Sequence, residues 1–266
     1  MLYFVATPIG NLKDFSFRAL EVLQSVDEIA CEDTRHSLKL LNHYGIKKEL
    51  FSYHKFNEIS SGEKIIEKLK NGKNIAVISD AGMPMISDPG NILVDMLIRE
   101  GLDFTVIPGA CAFVSALVLS GLDASKFCFL GFLPAKEGER KTFLEKYKDL
   151  DLTLIFYSAP HDVKKDIASL YGAFGSRRAV AVKEISKIHE SIEFFDLKDG
   201  YASEPKGEYV LLVDKPQKED FSLFSEEEHI KKYLDVGMDK KEALKKVAKE
   251  RGVSKSSLYK YTVGKL

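Results

Sequence analysis

From its second residue to about residue 122 the chain alternates short apolar runs with amphipathic stretches, and that rhythm leaves few folds open. The runs at 2–6, 28–31, 50–53, 74–78 and 104–107 have the length of buried strands. Between them, the stretches at 16–24, 37–44, 63–70, 92–100 and 112–119 carry apolar residues at helical spacing. Strand and helix in alternation imply a mainly parallel sheet covered by helices. Beyond residue 122 the rhythm changes. Strand-like runs at 127–132, 152–157, 179–183, 191–197 and 208–213 share only the clear helices at 138–147 and 161–174. A second α/β domain with more antiparallel pairing is expected, joined near Gly121. The organisation read from the sequence is therefore an α/β domain over 1–121, a second over 122–214, and a linker with a small helical domain over 215–266. With 266 residues and 45% apolar content there is enough material for both cores.

The segment Asp214-Lys215-Pro216-Gln217-Lys218-Glu219-Asp220 is polar and carries a proline, as a linker does. Past it, Ser225 with Glu228 and Asp239 with Glu242 have capping-box spacing, and Gly237 and Gly252 stand where helices end. Ala243, Leu244, Val247 and Ala248 form an apolar face, followed by a Gly252-Val253-Ser254 turn and a basic helix over 255–261. That outline is a helix-turn-helix, which any small helical hairpin also shares. Residues 238–266 hold nine Lys or Arg against three acids, net +6, while the whole chain stands at −1. A basic appendage on an acidic body suits a polyanionic partner, although a solvated Lys-rich face has the same composition.

Cys31, Cys111 and Cys128 are odd in number, far apart and set in apolar sequence. They point away from disulfides and zinc, and toward a reducing cytoplasm. The run Met1 to Ala6 has no basic flank and stops at Thr7-Pro8, too short for a signal peptide. The longest apolar stretch, 111–122, is interrupted by Ser115 and Ser120 and is too short to span a bilayer.

Ligands of α/β proteins bind where strands give way to helices, so strand ends are the places to search. Ser79-Asp80-Ala81-Gly82-Met83-Pro84-Met85-Ile86-Ser87-Asp88-Pro89-Gly90 follows the fourth run, and its turn residues are too dense for a plain connector. Thr7-Pro8-Ile9-Gly10-Asn11, Glu32-Asp33-Thr34-Arg35-His36 and Pro108-Gly109-Ala110-Cys111-Ala112 end the first, second and fifth. Each has a plainer reading: an elaborate turn, a helix cap with a local ion pair, or a β-to-α turn of small residues. No Gly-x-Gly-x-x-Gly and no Gly-Lys-Ser/Thr follows any strand, so ordinary dinucleotide and NTP binding lose support. His54 and His189 lack metal-ligand spacing. In the second domain, Gly131 to Lys136 and Lys183 to Glu190 end strands with charge, and with Arg177 and Arg178 they are expected to place cations around one cleft.

Taken together, Ala6 to Leu12, Glu32 to Arg35, Ser79 to Gly82, Ile86 to Gly90, Pro108-Gly109, Gly131 to Pro134 and Lys187 to Glu190 resemble the ribosomal RNA small subunit methyltransferase I family of the tetrapyrrole methylase superfamily. The match runs in order through nearly all of residues 1–213. The resemblance implies two α/β domains flanking a cleft for S-adenosylmethionine, and methyl transfer to the ribose 2′-hydroxyl of a cytidine in the decoding region of 16S rRNA. It also implies a homodimer. By position, the cofactor contacts would be Pro8, Asp80, Ala81, Gly82, Met83, Pro108, Gly109, Cys111, Ala112 and Tyr157. Acceptor-side catalytic roles fall to Glu32, Asp33, Arg35 and Lys136, with Arg35 more a phosphate clamp than a base; no metal is implied. Met83 and Cys111 stand where Thr and Ser are common, and residues 156–162 lack the usual Glu and Arg. Lys183 and Ser186 replace a usual Arg and Thr, so Ser158 and Asp162 are poor choices for shared catalytic roles. Rival readings are a methylase of a tetrapyrrole precursor, a phosphohydrolase using Asp80 and Asp88 as magnesium ligands, and a non-enzymatic nucleic-acid binder resting on the tail.

Overall fold

The computed structural model describes residues 1–217 and 224–261. Contacts divide the chain into two compact units, Met1–Pro216 and Gln217–Leu266. Part of the expected linker, residues 218–220, and the basic end, 262–266, lie outside the described residues.

In the first unit, β1 (Leu2–Val5), α1 (Phe17–Ser25), β2 (Glu28–Cys31), α2 (Thr34–His43), β3 (Glu49–Ser52), α3 (Glu58–Lys70), β4 (Ile75–Ile78), α4 (Asn91–Arg99), β5 (Phe104–Ile107) and α5 (Ala112–Ser120) follow one another. The strands form one sheet in the order β3-β2-β4-β1-β5, and every pairing is parallel. Parallel sheets are buried on both faces, which is why the inner strands β1, β2 and β4 are apolar along almost their whole length, whereas the edge strands β3 and β5 are only partly buried. Register decides where the chemistry can go. Val5 pairs with both Ile78 and Ile107, and Cys31 pairs with both Ile78 and Ser52. All the strands therefore stop at one level, and the segments that follow them share a single edge.

The helix α3 begins at Glu58, five residues ahead of the periodic stretch at 63–70. Its early turns bury Ser61 and Gly62 in place of large apolar groups, so no hydrophobic period announces them. The Ser61 hydroxyl donates to the Ser52 carbonyl at 3.1 Å, and a Cβ on Gly62 would stand 2.8 Å from the Met96 sulfur. A helix that packs by its backbone needs a glycine there.

The second sheet comprises β6 (Phe127–Phe132), β7 (Thr153–Ser158), β8 (Arg178–Lys183), β9 (Ser191–Asp196) and β10 (Tyr209–Val213), ordered β6-β7-β10-β8-β9. Only β6 and β7 are parallel; β10 runs antiparallel between β7 and β8, and β9 antiparallel to β8. The helices α6 (Glu137–Glu145) and α7 (Val163–Phe174) supply one cover. On the other face α5 packs its Ala116 and Leu117 against Ile155, Val180 and Leu212. Tyr209 pairs with both Ser158 and Lys183, so the start of β10 and the ends of β7 and β8 share an edge.

The second unit holds α8 (Glu226–Asp235), α9 (Lys240–Arg251) and α10 (Lys255–Leu258) around Ile230, Leu244, Val247, Ala248 and Leu258. Ser225 and Glu228 complete a capping box, and Gly252 ends α9 in the left-handed region at φ 66°. The basic helix expected over 255–261 is only one turn of α-helix, Lys255–Leu258, continued by a 3-10 turn at Tyr259–Tyr261.

Candidate active site

A cavity of about 400 Å³ lies against the carboxyl edge of the first sheet and the shared edge of β7, β8 and β10. That is within the size range of small-molecule sites. One wall is the 79–90 loop, which the chain holds rigidly. Thr7 and Gly82 exchange backbone hydrogen bonds of 2.9 and 3.1 Å, and the Ser79 hydroxyl donates to the Gly82 carbonyl at 2.9 Å. Gly82 stands at φ 85°, Met85 at 72° and Ser87 at 65°. Two non-glycine residues in that region cost free energy that the surrounding contacts must offset. The Gly90 N–H donates to Glu58 at 2.7 Å and ties off the loop's end. The opposite wall is also strained: Glu184 and Ser186 have φ of 50° and 68°, and Lys187 bridges Glu184 at 2.9 Å and Glu208 at 2.8 Å.

The charge of the lining is lopsided. Asp80, Asp88, Glu184 and Glu208 face the cavity together with one cation, Lys187, which its two glutamates already hold. Behind this wall Glu32 adds another carboxylate. Burial raises the Glu32 carboxyl above the ordinary range, and the neighbouring Asp80 raises it further, against the opposing influence of His54. Asp88 is pushed up to about 6, by burial first and then by Glu32 and Asp80. On the second sheet Tyr157 rises to about 12, chiefly through burial. Among the described residues no group of three or more His, Cys, Asp or Glu side chains is arranged to hold a metal ion, and no helix is long and apolar enough to cross a membrane.

Residues 1–199 match the Tetrapyrrole (Corrin/Porphyrin) Methylases family. The chain is 42% identical to a protein of Halalkalibacterium halodurans named ribosomal RNA small subunit methyltransferase I, over 97% of this chain and 93% of that one. A Haemophilus influenzae protein of the same name is 42% identical over the whole of this chain and 97% of its own length. Among solved structures, a diphthine synthase superposes with a TM-score of 0.65 at 16% identity, covering 81% of this chain and 90% of that one. A Thermus thermophilus uroporphyrin-III-C-methyltransferase gives 0.54 at 20% identity, covering 84% and 98%. The chain belongs to the tetrapyrrole methylase family.

Of the family positions read from the sequence, Asp80, Ala81, Gly82, Met83, Cys111, Ala112 and Tyr157 line the cavity. Pro8, Pro108 and Gly109 stand behind the lining. A Cβ on Gly109 would come within 2.8 Å of the Ala6 Cβ, so this turn packs directly onto the end of β1. The four acceptor-side candidates are not brought together at the cavity. Asp33 caps α2 through the Arg35 N–H at 2.8 Å and pairs with the Arg35 guanidinium at 3.2 Å. The Arg35 side chain is 90% exposed. Lys136 caps α6 from an exposed position and pairs with Glu139 at 2.9 Å. Glu32 is half-buried beneath the loop rather than on its surface.

The expected convergence of cations in the second half does not occur. Arg177 and Arg178 lie at the start of β8 and Lys183 at its end, so a whole strand separates them. Arg177 is buried, donating to the Lys148 carbonyl and lying over the Phe174 ring. Ser158 lines the cavity but donates to the buried Asp166 carboxylate at 2.7 Å, and Asp162 is paired with Lys165. Phe132, within the strand end at 131–136 that the sequence marks, lines the cavity, and so does Glu208, which has no such signal in the local sequence. Phe132 reaches it because a register shift in β6, with Gly131 at φ 64°, re-aims the strand end.

Proposed function

We propose that the chain transfers the methyl group of S-adenosylmethionine to the ribose 2′-hydroxyl of a cytidine in the decoding region of 16S rRNA. The substrate would be the small ribosomal subunit, met in the cytoplasm by a homodimer. The observation that carries this reading is near-full-length identity of about 40% to proteins named for that RNA subunit. The solved structures share the fold at under 25% identity and lend no weight to a porphyrin acceptor.

The lining suits the cofactor. A sulfonium and an ammonium bring positive charge, and the acid Asp80 faces the cavity with no paired cation among the described residues. The backbone of Ala81 to Met83 and the start of α5 at Cys111 and Ala112 would hold the nucleoside part, with Tyr157 as an apolar wall that keeps water out. When bound, the cofactor supplies a methyl group already activated toward attack. The chain is left with alignment of the acceptor and removal of its proton. Arg35, exposed just after β2 and paired with Asp33, would exchange that partner for an RNA phosphate and clamp it by paired hydrogen bonds. The Lys-rich helix α9 would add backbone attraction. Val106 on the edge strand β5 and Val114 and Val118 on α5 are exposed apolar residues, which favours a second copy as partner.

The test combines a binding measurement on the purified full chain with mapping of ribosomal RNA from cells with and without the gene. Calorimetry should show cofactor binding unchanged by excess chelator, and mass mapping of small-subunit rRNA should show one ribose methyl missing when the gene is absent. Binding that depends entirely on magnesium would revive the phosphohydrolase reading.

A further inference from the structure

We propose that the carboxylate of Asp88 is the general base of methyl transfer, an assignment that rests on reading the chain as a ribose 2′-O-methyltransferase. Of the acids lining the cavity, Glu184 and Glu208 are held by Lys187, and Asp80 accepts the Asp33 N–H at 3.3 Å. Among the described residues, no hydrogen-bond donor and no cation reaches the Asp88 carboxylate, although it is half-buried. Its carboxylate lines the cavity with lone pairs unclaimed by the protein, open to a hydroxyl that enters there.

The loop holds that oxygen pair in place. Ser87, immediately before it, stands at φ 65°, with its hydroxyl close to Gly131 of β6. Gly90, two residues on, is anchored by Glu58. The groups facing Asp88 are Glu32 from the end of β2, Asp80 from the end of β4, and the Tyr157 phenol from β7. All are acids, so none stabilises its negative charge. Burial first, and then Glu32 and Asp80, push its carboxyl up to about 6, where an ordinary aspartate near 4 would be too weak a base at neutral pH. Glu32 acts through Asp88 and is a positioning residue: its charge keeps the base basic.

In the step assigned here, Asp88 accepts the hydroxyl proton as the ribose oxygen forms its bond to the methyl carbon. The carbon–sulfur bond breaks with its electron pair left on sulfur, which becomes a neutral thioether. The proton then leaves Asp88 for solvent.

Three readouts on the full-length protein test this. Single-turnover methylation of small subunits between pH 5 and 8 should rise with unit slope to a plateau, with a midpoint near 6. Asp88→Asn should lower the plateau rate roughly 10²–10⁴-fold, while calorimetry shows cofactor affinity within about threefold of the parent. Carbon NMR of the cofactor-free protein should show the Asp88 carboxyl titrating near 6, with the kinetic midpoint at or slightly below it because a bound sulfonium favours the carboxylate, and Glu32→Gln should move both midpoints downward together. Wild-type rates in Asp88→Asn would overturn the assignment, and loss of cofactor binding in that variant would make Asp88 a cofactor ligand instead. Wild-type protein that binds cofactor yet methylates no ribosomal RNA at any pH would overturn the functional reading itself.

Discussion

The strand β2 begins and is followed by a glutamate, and the two are treated in opposite ways. Glu28, at its start, is buried and flanked by Lys68 and Lys73, both of which donate to it. Burial opposes its ionisation, but those hydrogen bonds and charges outweigh the burial and hold its carboxyl below the ordinary range. Glu32, just beyond the other end, is held above that range by burial and then by Asp80, with His54 opposing. One edge of the sheet is satisfied and the other is not. The amino edge uses buried charge to fix the fold, whereas the carboxyl edge keeps Glu32, Asp80 and Asp88 close together at a cost in stability. Clusters of unmatched charge of this kind are found where a site needs reactivity more than it needs stability.

The largest effect expected from breaking this contrast is on turnover. Arg35 sits at the working edge, exposed and paired only with its own cap residue Asp33. Arg35→Ala and Arg35→Lys should each cut RNA methylation at limiting substrate by roughly tenfold or more, because an ammonium cannot reproduce paired contacts to a phosphate. Cofactor affinity, read by calorimetry, should stay the same. Normal methylation by both variants would reduce Arg35 to part of a helix cap, and lost cofactor binding would place it on the wrong side of the cleft.

At the structural edge the same logic predicts a loss of stability and no change in chemistry. Glu28→Gln removes the charge that Lys68 and Lys73 share, costing about 2 kcal/mol at pH 7. Because the folded carboxyl lies below its unfolded value, its contribution is present above about pH 4.3 and is lost as pH falls through the folded value. Denaturant titrations at pH 7 and pH 3 should therefore show the variant weaker at the first and close to the parent at the second. An equal deficit at both would mean that packing, rather than charge, is what Glu28 supplies.

How much of this contrast the sequence reveals depends on which contacts are local. The strands β2 and β5 and the helix α5 could be placed nearly residue for residue, because each is a short apolar stretch bounded by polar or turn-forming residues. The motif at 79–90 was legible as a special turn through its glycines and prolines. The pairing of Glu28 with lysines 40 and 45 residues away was not, nor was the approach of Glu32 and Asp80 to Asp88. Those depend on strand order, and the order β3-β2-β4-β1-β5 leaves no trace in local periodicity. The expected cation cluster failed for a related reason: Arg177 and Lys183 are near in sequence but a strand apart in space.

The smallest effect has the opposite sign to that of Glu28 and is the most direct check on the unsatisfied edge. Asp88 titrates near 6 in the folded protein and near 4 when unfolded, so ionisation is harder in the folded state. The parent should lose stability as pH rises from about 4 to about 6, and Asp88→Asn, which cannot ionise, should not. A shift of about two pH units corresponds to at most about 3 kcal/mol; solvent at the cavity mouth screens this to on the order of 1 kcal/mol, or a rise in Tm of roughly 2–4 °C at pH 7. At pH 4 the two proteins should melt together. A variant that melts below its parent at pH 7 would show that the Asp88 charge is paired and useful to the fold, and the two edges of the sheet would then be alike.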